Sequence, residues 1–235
     1  MAGRRSVTTV GLDGDDTLWH SESHFAVTTA RLAELLSPWV SHEDESEAHL
    51  LGVEARNLGL LGYGVKAFTL SMIETAIEIS DGEVPASSIR EILDWGKELL
   101  DHPVELLPEA AEAVDDLAGG YRLLLVTKGD LLHQESKLAR SGIAEAFSGI
   151  EIVSEKDVAT YGRIMARHEV DPTEFVMVGN SVRSDVLPVL ELGARAVHVP
   201  YRVTWAHERV DDDPGVPVLD HLGELSALLD GWERA

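Results

Sequence analysis

The chain has no cysteine. That excludes a disulfide framework, a thiolate metal site and a thiol nucleophile, and it fits a reducing compartment, so a cytoplasmic location is expected. Positive charge is also scarce: 19 Lys and Arg stand against 42 Asp and Glu, a formal net charge of −23. So acidic a chain repels phosphate backbones and anionic bilayers, which argues against nucleic acid and membrane partners. No apolar run is long enough to span a bilayer. Arg4 and Arg5 stand where a signal sequence carries its basic segment, but the apolar stretch behind them is short and runs into Asp13, Asp15 and Asp16.

What the chain does contain falls into two textures. Its 235 residues exceed the usual single-domain size and predict one large domain or a core with an inserted domain. Residues 6–13 read as a strand. From Tyr121 onward β-rich segments alternate with helical spacing: YRLLLVT, then 130–140; GIEIVS, then 157–168; EFVMVGN, then 185–192; and last ARAVHVP. That alternation predicts βαβ units and an α/β fold with a doubly wound, mainly parallel sheet. LPEAAEAVDDLAGG, residues 107–120, reads as a helix with Pro108 in its first turn and Gly119-Gly120 at its end. Between His20 and Pro103, four segments keep helical spacing with no strand among them: HFAVTTARLAELL, ESEAHLLGVEARNLGLL, VKAFTLSMIETAIEI and SSIREILDWGKELL. The expected organisation is an α/β core of residues 1–20 and 104–235, interrupted by a helical domain over 21–103. Ligands of such sheets bind beyond the carboxyl ends of strands, which is where the insertion leaves the core.

The stretch VTTVGLDGDDTLWH, residues 7–20, crowds three carboxylates where a strand should end. Like charges that close disfavour one another, so the cluster needs open solvent, a cation, or a chemical use for a shifted pKa. DGDDT at 13–17 resembles the DxDx[TV] motif of the haloacid dehalogenase superfamily. Three further motifs follow in that superfamily's order: Thr127 in LLLVTKGD, Lys156 in VSEKD, and GNSVRSD at 179–185, which resembles the acidic fourth motif. The resemblance spans the whole core, and the helical insertion matches the position of a type 1 cap. It implies a Rossmann-like core with sheet order 5-4-1-2-3 and a cap that selects the substrate. The composition of that cap, with Tyr63, Lys66 and Phe68 among many small and apolar residues, suits a small phosphorylated metabolite without identifying one.

Phosphate monoesters hydrolyse extremely slowly unaided, so an enzyme must supply a nucleophile, charge neutralisation on the phosphoryl oxygens and a proton for the leaving oxygen. By the resemblance, Asp13 is the nucleophile that forms an aspartyl-phosphate. Asp15 protonates the leaving group and later deprotonates water, which calls for a carboxyl whose pKa its neighbours raise. Lys156 would contact Asp13 and the phosphate, and Thr127 would donate its hydroxyl to a phosphoryl oxygen, with Lys128 as a further anion-binding candidate. A hard divalent cation, Mg²⁺, is implied as cofactor, with Asp13, the Asp15 backbone carbonyl, Asn180 and Asp185 as its ligands. Asn180 departs from the superfamily's usual Asp and brings no charge. Weaker metal binding is therefore expected, or an Asp185 that holds the ion through water.

Asp16 reads as a turn or capping residue. Arg183, His20, His24, Trp205, His207 and Glu208 are secondary candidates, each also readable as a solvated or packing side chain. Asp211, Asp212 and Asp213 read as a solvated turn, and the absence of HExxH removes a zinc-protease reading. The leading function is a Mg²⁺-dependent phosphatase acting on a small phosphorylated metabolite, with oligomeric state left open. The alternatives are a dehalogenase, which Asn180 favours and Asp15 disfavours; a phosphomutase, which shares every core motif; and a phosphate-binding or regulatory protein that has lost turnover.

Overall fold

The computed structural model describes residues 7–42, 44–203, 205–208 and 215–234. Arg4, Arg5 and the Asp211–Asp213 run lie outside the described residues. The described parts of Met1–Glu22, Val104–Lys128 and Gln134–Ala235 form one compact unit, and Ser23–Pro103 with Gly129–His133 form a second.

The first unit is a five-stranded sheet in the order β3-β2-β1-β4-β5, the order expected, with every pairing parallel. β1 is Thr9–Leu12, β2 Arg122–Lys128, β3 Phe147–Val153, β4 Phe175–Gly179 and β5 Arg195–His198. β1 is central, with Leu12 level with Leu125 of β2 and Val178 of β4. The three central strands read as near-continuous apolar runs because helices cover both faces: β1 and β4 are buried at every position. Leu12, Leu123, Leu125 and Val178 face one core, and Leu124, Val126, Phe175 and Met177 face the other, the period-two alternation of a pleated strand.

α5 (Ala110–Ala118), α6 (Leu131–Ser141), α7 (Val158–Arg167), α8 (Leu187–Glu191) and α9 (Leu225–Arg234) follow the strands. α5 begins later than expected. Glu109 takes φ 63°, so Pro108 lies ahead of the helix instead of in its first turn. The helix expected over 185–192 is divided into a wide π turn, Val182–Val186, and the short α8.

The second unit contains α2 (Glu45–Leu61), α3 (Val65–Ile79), α4 (Ala86–Asp101) and nearly all of α1 (Glu22–Leu36). Apolar residues three and four apart build its core: Leu32 and Leu36; Val65, Phe68, Met72 and Ala76; Ile92, Trp95 and Leu99. The sequence reading places residues 129–133 with the core, whereas these five cluster with the helices. There Asp130 takes the Lys66 ammonium on both carboxylate oxygens, each at 2.9 Å. None of the described helices is long and apolar enough to cross a membrane.

Candidate active site

Parallel pairing in register brings the carboxyl ends of β1, β2 and β4 to one edge. The chain runs from β1 to β2 and β3 on one side, then returns to β4 on the other, so β1 and β4 flank the crevice where ligands of such sheets bind. Asp13 is the first residue past β1, and its N–H still donates to the Val178 carbonyl at 2.9 Å. Thr127 and Lys128 end β2, and Asn180 is the first residue past β4. Lys156 arrives from the loop after β3. Its neighbour Asp157 caps α7, accepting from Thr160 N at 2.7 Å, which fixes the approach of the lysine.

Lys156 is no surface lysine: only 4 % of the residue is exposed. Its ammonium bridges Asp13 Oδ1 at 2.5 Å and Asp185 Oδ1 at 2.6 Å, and both carboxylates are themselves buried. Asp185 sits in the π turn. Its Oδ2 accepts from Ser181 N at 3.0 Å, and Gly179 makes room for it: a Cβ there would stand 2.2 Å from that oxygen. Tyr161, fully buried, donates to the Ser184 carbonyl at 3.0 Å beneath the same turn. Two buried carboxylates share one ammonium, an imbalance that bears on Asp13. Burial first, and then the Asp185 charge, push Asp13 up to about 7 against the pull of Lys156. Burial opposes the charge on Lys156, yet Asp13 and Asp185 together raise it.

Asp15, two residues on, occupies a different environment. Its Oδ1 accepts from Trp19 Nε1 at 2.6 Å and from the Lys137 ammonium, and its Oδ2 accepts from Gln134 Nε2 at 2.9 Å. Burial alone would raise this carboxyl. The Lys137 charge and the donors Lys137, Gln134 and Trp19 outweigh burial and hold it below the ordinary carboxylate value. The expectation that neighbours raise Asp15 is therefore corrected: its neighbours are donors, and they keep it ionised. Gln134 also reaches Thr127 Oγ1 at 3.0 Å, so one amide joins the first and second motifs. Asp16 turns away at φ 61° and caps the start of α1, accepting from Ser21 N at 2.8 Å and Glu22 N at 3.0 Å. Burial, with the Asp15 charge adding to it, pushes Asp16 up to about 8.

Lys128 donates to a Glu208 oxygen and to Ser184 Oγ at 2.9 Å. Burial would raise Glu208, but Lys128 and the Ser181 and Ser184 hydroxyls hold it low. Arg183 is exposed and donates to the His207 carbonyl at 2.7 Å. His20 Nδ1 lies 2.6 Å from the Tyr201 hydroxyl. His24 stacks on His102 with ring centroids 3.9 Å apart, and Trp205 meets His207 edge to face.

Residues 7–193 match the haloacid dehalogenase-like hydrolases. The chain belongs to this family. A haloacid dehalogenase-like family hydrolase from Xanthomonas campestris is 40% identical, with a TM-score of 0.88 over 100% of this chain and 94% of that one. The glyceraldehyde 3-phosphate phosphatase of Methanothermobacter thermautotrophicus is 29% identical over 130 residues, 52% of this chain and 58% of the relative, so the match spans little more than half of that protein. The L-2-haloacid dehalogenase of Xanthobacter autotrophicus, 16% identical, shares the fold with a TM-score of 0.64 over 96% of this chain and 99% of its own.

In this hydrolase one branch of the Asn180 amide lies 3.1 Å from Asp13 Oδ2 and 3.3 Å from the Asp15 carbonyl oxygen. The NH₂ on that branch would satisfy both acceptors. The oxygen there makes three converging oxygens, two of which, Asp13 Oδ2 and Asn180 Oδ1, also accept from the Thr17 hydroxyl at 3.1 and 3.4 Å. Oxygens at roughly 2.1 Å from one octahedral ion stand about 3 Å from each other, so this set fits a small hard cation. Among the described residues no group of three or more His, Asp or Glu side chains is arranged to hold a metal. An ion here would depend on one carboxylate, one amide and one backbone carbonyl. Asp185 has one oxygen on Lys156 and the other on Ser181 N. Sequence reasoning missed Lys137, Gln134, Ser181, Ser184 and Tyr161. Gln134 and Lys137, three apart on α6 and buried, were the legible signal: polar residues on the inward face of an amphipathic helix.

Proposed function

We propose that this hydrolase is a phosphomonoester phosphatase that works through an aspartyl-phosphate on Asp13 and requires Mg²⁺. The single observation that carries the reading is Lys156 held between Asp13 and Asp185 at the strand ends, with a second acid, Asp15, two residues from the first. The phosphatase named among the relatives supports it. Asp15 weighs against a dehalogenase, which has no leaving group that needs a proton.

Asp13 attacks phosphorus, a bond forms from its carboxylate oxygen, and the bond to the ester oxygen breaks. Thr127 and Lys156 bind the phosphoryl oxygens and offset their charge. Asp15 gives the departing oxygen its proton, then takes one from the water that hydrolyses the aspartyl-phosphate, which frees phosphate and restores Asp13. The hold of Lys137, Gln134 and Trp19 on Asp15 suits the second step directly, because a base must be ionised. The first step requires Asp15 to leave that hold. Mg²⁺ would be carried by Asp13, the Asp15 carbonyl and Asn180, with Asp185 behind Lys156, and it would supply charge neutralisation between the carboxylate and the phosphate. An aryl phosphate assayed with Mg²⁺ and with chelator tests the reading. Release of phosphate with Mg²⁺ only, lost in Asp13→Asn, is expected; equal rates in the two buffers would overturn it.

A further inference from the structure

We propose that the substrate carries one phosphoryl group on an otherwise uncharged molecule, and that Glu208 enforces this choice by engaging Lys128. The proposal rests on the phosphatase reading above. Lys128 follows Thr127 at the end of β2 and so stands next to the phosphate-binding hydroxyl. It is the cation best placed to greet a second anionic group, but it is already engaged. Its ammonium donates to Glu208 and to Ser184 Oγ, with a Glu155 oxygen 3.6 Å away. Glu208 is held in turn by the Ser184 hydroxyl at 2.6 Å and by the Ser181 hydroxyl, and its side chain is 13% exposed.

The other lysines of the site are engaged in the same way. Lys156 lies between Asp13 and Asp185, and Lys137 on Asp15. Arg183 is exposed and turned to a backbone carbonyl. A second carboxylate or phosphate on the substrate therefore meets a negative field with its nearest cation already neutralised, whereas a hydroxyl or carbonyl does not. Selection of this kind works by repelling the wrong ligand, not by gripping the right one.

Glycerol 3-phosphate and 3-phosphoglycerate form a matched pair, differing in a hydroxymethyl against a carboxylate. Each is measured as a competitor of aryl phosphate hydrolysis, in the wild type, in Glu208→Gln and in Glu208→Gln combined with Lys128→Met. The wild type is expected to bind glycerol 3-phosphate at least tenfold more tightly. Glu208→Gln should narrow that ratio at least threefold by improving the acid, and the added Lys128→Met should restore it. Equal inhibition by the two compounds, no inhibition by glycerol 3-phosphate, or an unchanged ratio in Glu208→Gln overturns the proposal. Should Glu208→Gln fail to fold, the salt dependence of the wild-type ratio decides: repulsion is screened and the ratio narrows, while an insensitive ratio overturns the proposal. A wild type inactive on the aryl ester would refute the phosphatase reading itself, a distinct failure.

Discussion

Asp13, Asp15 and Asp16 are near neighbours in the chain with three different surroundings. Asp13 shares an ammonium with another buried acid, Asp15 is ringed by donors, and Asp16 caps a helix. The Asp16 carboxyl titrates at about 8 against an ordinary 3.8. A carboxyl raised by folding favours the folded state fully below its unfolded pKa, and that contribution is lost as pH rises through the folded value. Asp16→Asn cannot ionise and keeps a carbonyl oxygen for Ser21 and Glu22. In chelator-containing buffer the melting temperature of the variant relative to wild type should therefore climb between about pH 4 and pH 8; a constant difference would contradict the assignment. Asn180 gives the second prediction at this scale. Asn180→Asp sets a carboxylate about 3 Å from Asp13, a spacing at which even a well-screened charge is worth on the order of 1 kcal/mol or more. The metal-free variant should melt below the wild type, while the Mg²⁺ concentration for half-maximal activity falls several-fold. Metal titrations and melts that both stay unmoved would take Asn180 out of the metal shell.

Helix α6 acts on the site as a unit, because Gln134 and Lys137 lie one turn apart on its inward face and both reach Asp15. Lys137→Met keeps the apolar stem and removes the ammonium that holds Asp15. General acid and base contributions are worth roughly 10²–10⁴ in rate, and hydrolysis of the aspartyl-phosphate, the step that needs Asp15 as an ionised base, is shared by all substrates. The kcat for an aryl phosphate should thus drop at least tenfold near neutral pH and recover as rising pH ionises Asp15 without help from Lys137. A loss that does not change with pH would reduce Lys137 to a packing residue. The π turn after β4 is likewise a device of the element: its wide winding aims Asp185 back at Lys156 while Ser181 and Ser184 reach Glu208.

Over the whole molecule, a net charge of −23 opposes compaction. Exposed ion pairs such as Arg31–Glu98 and Lys97–Asp94 are each worth only about 0–1 kcal/mol, so screening them costs little. Raising the salt from about 0.01 M to 0.1 M shortens the screening length from about 30 Å to 10 Å. The melting temperature in monovalent salt should rise by several degrees; a fall would mean that local pairs outweigh the net repulsion.

The sequence by itself determined the parallel sheet, the helical run over 21–103 and the order of the four motifs, and the resemblance those motifs carry implied the strand order. The sheet, the helices and the motifs rest on short-range pattern: period-two and helical spacing, caps, and motif residues that parallel strands carry to one edge. Only the tertiary structure decided what each charged group faces. Asp15 and Lys137 are 122 residues apart and Lys128 and Glu208 are 80 apart, and no local pattern encodes such a meeting. Those meetings reversed the expected titration of Asp15 and engaged Lys128 with an acid. They also account for Lys156, a lysine flanked by Glu155 and Asp157 that reads as a surface residue in any short window. It is buried because Asp157 turns aside to cap α7 and two distant carboxylates claim its charge.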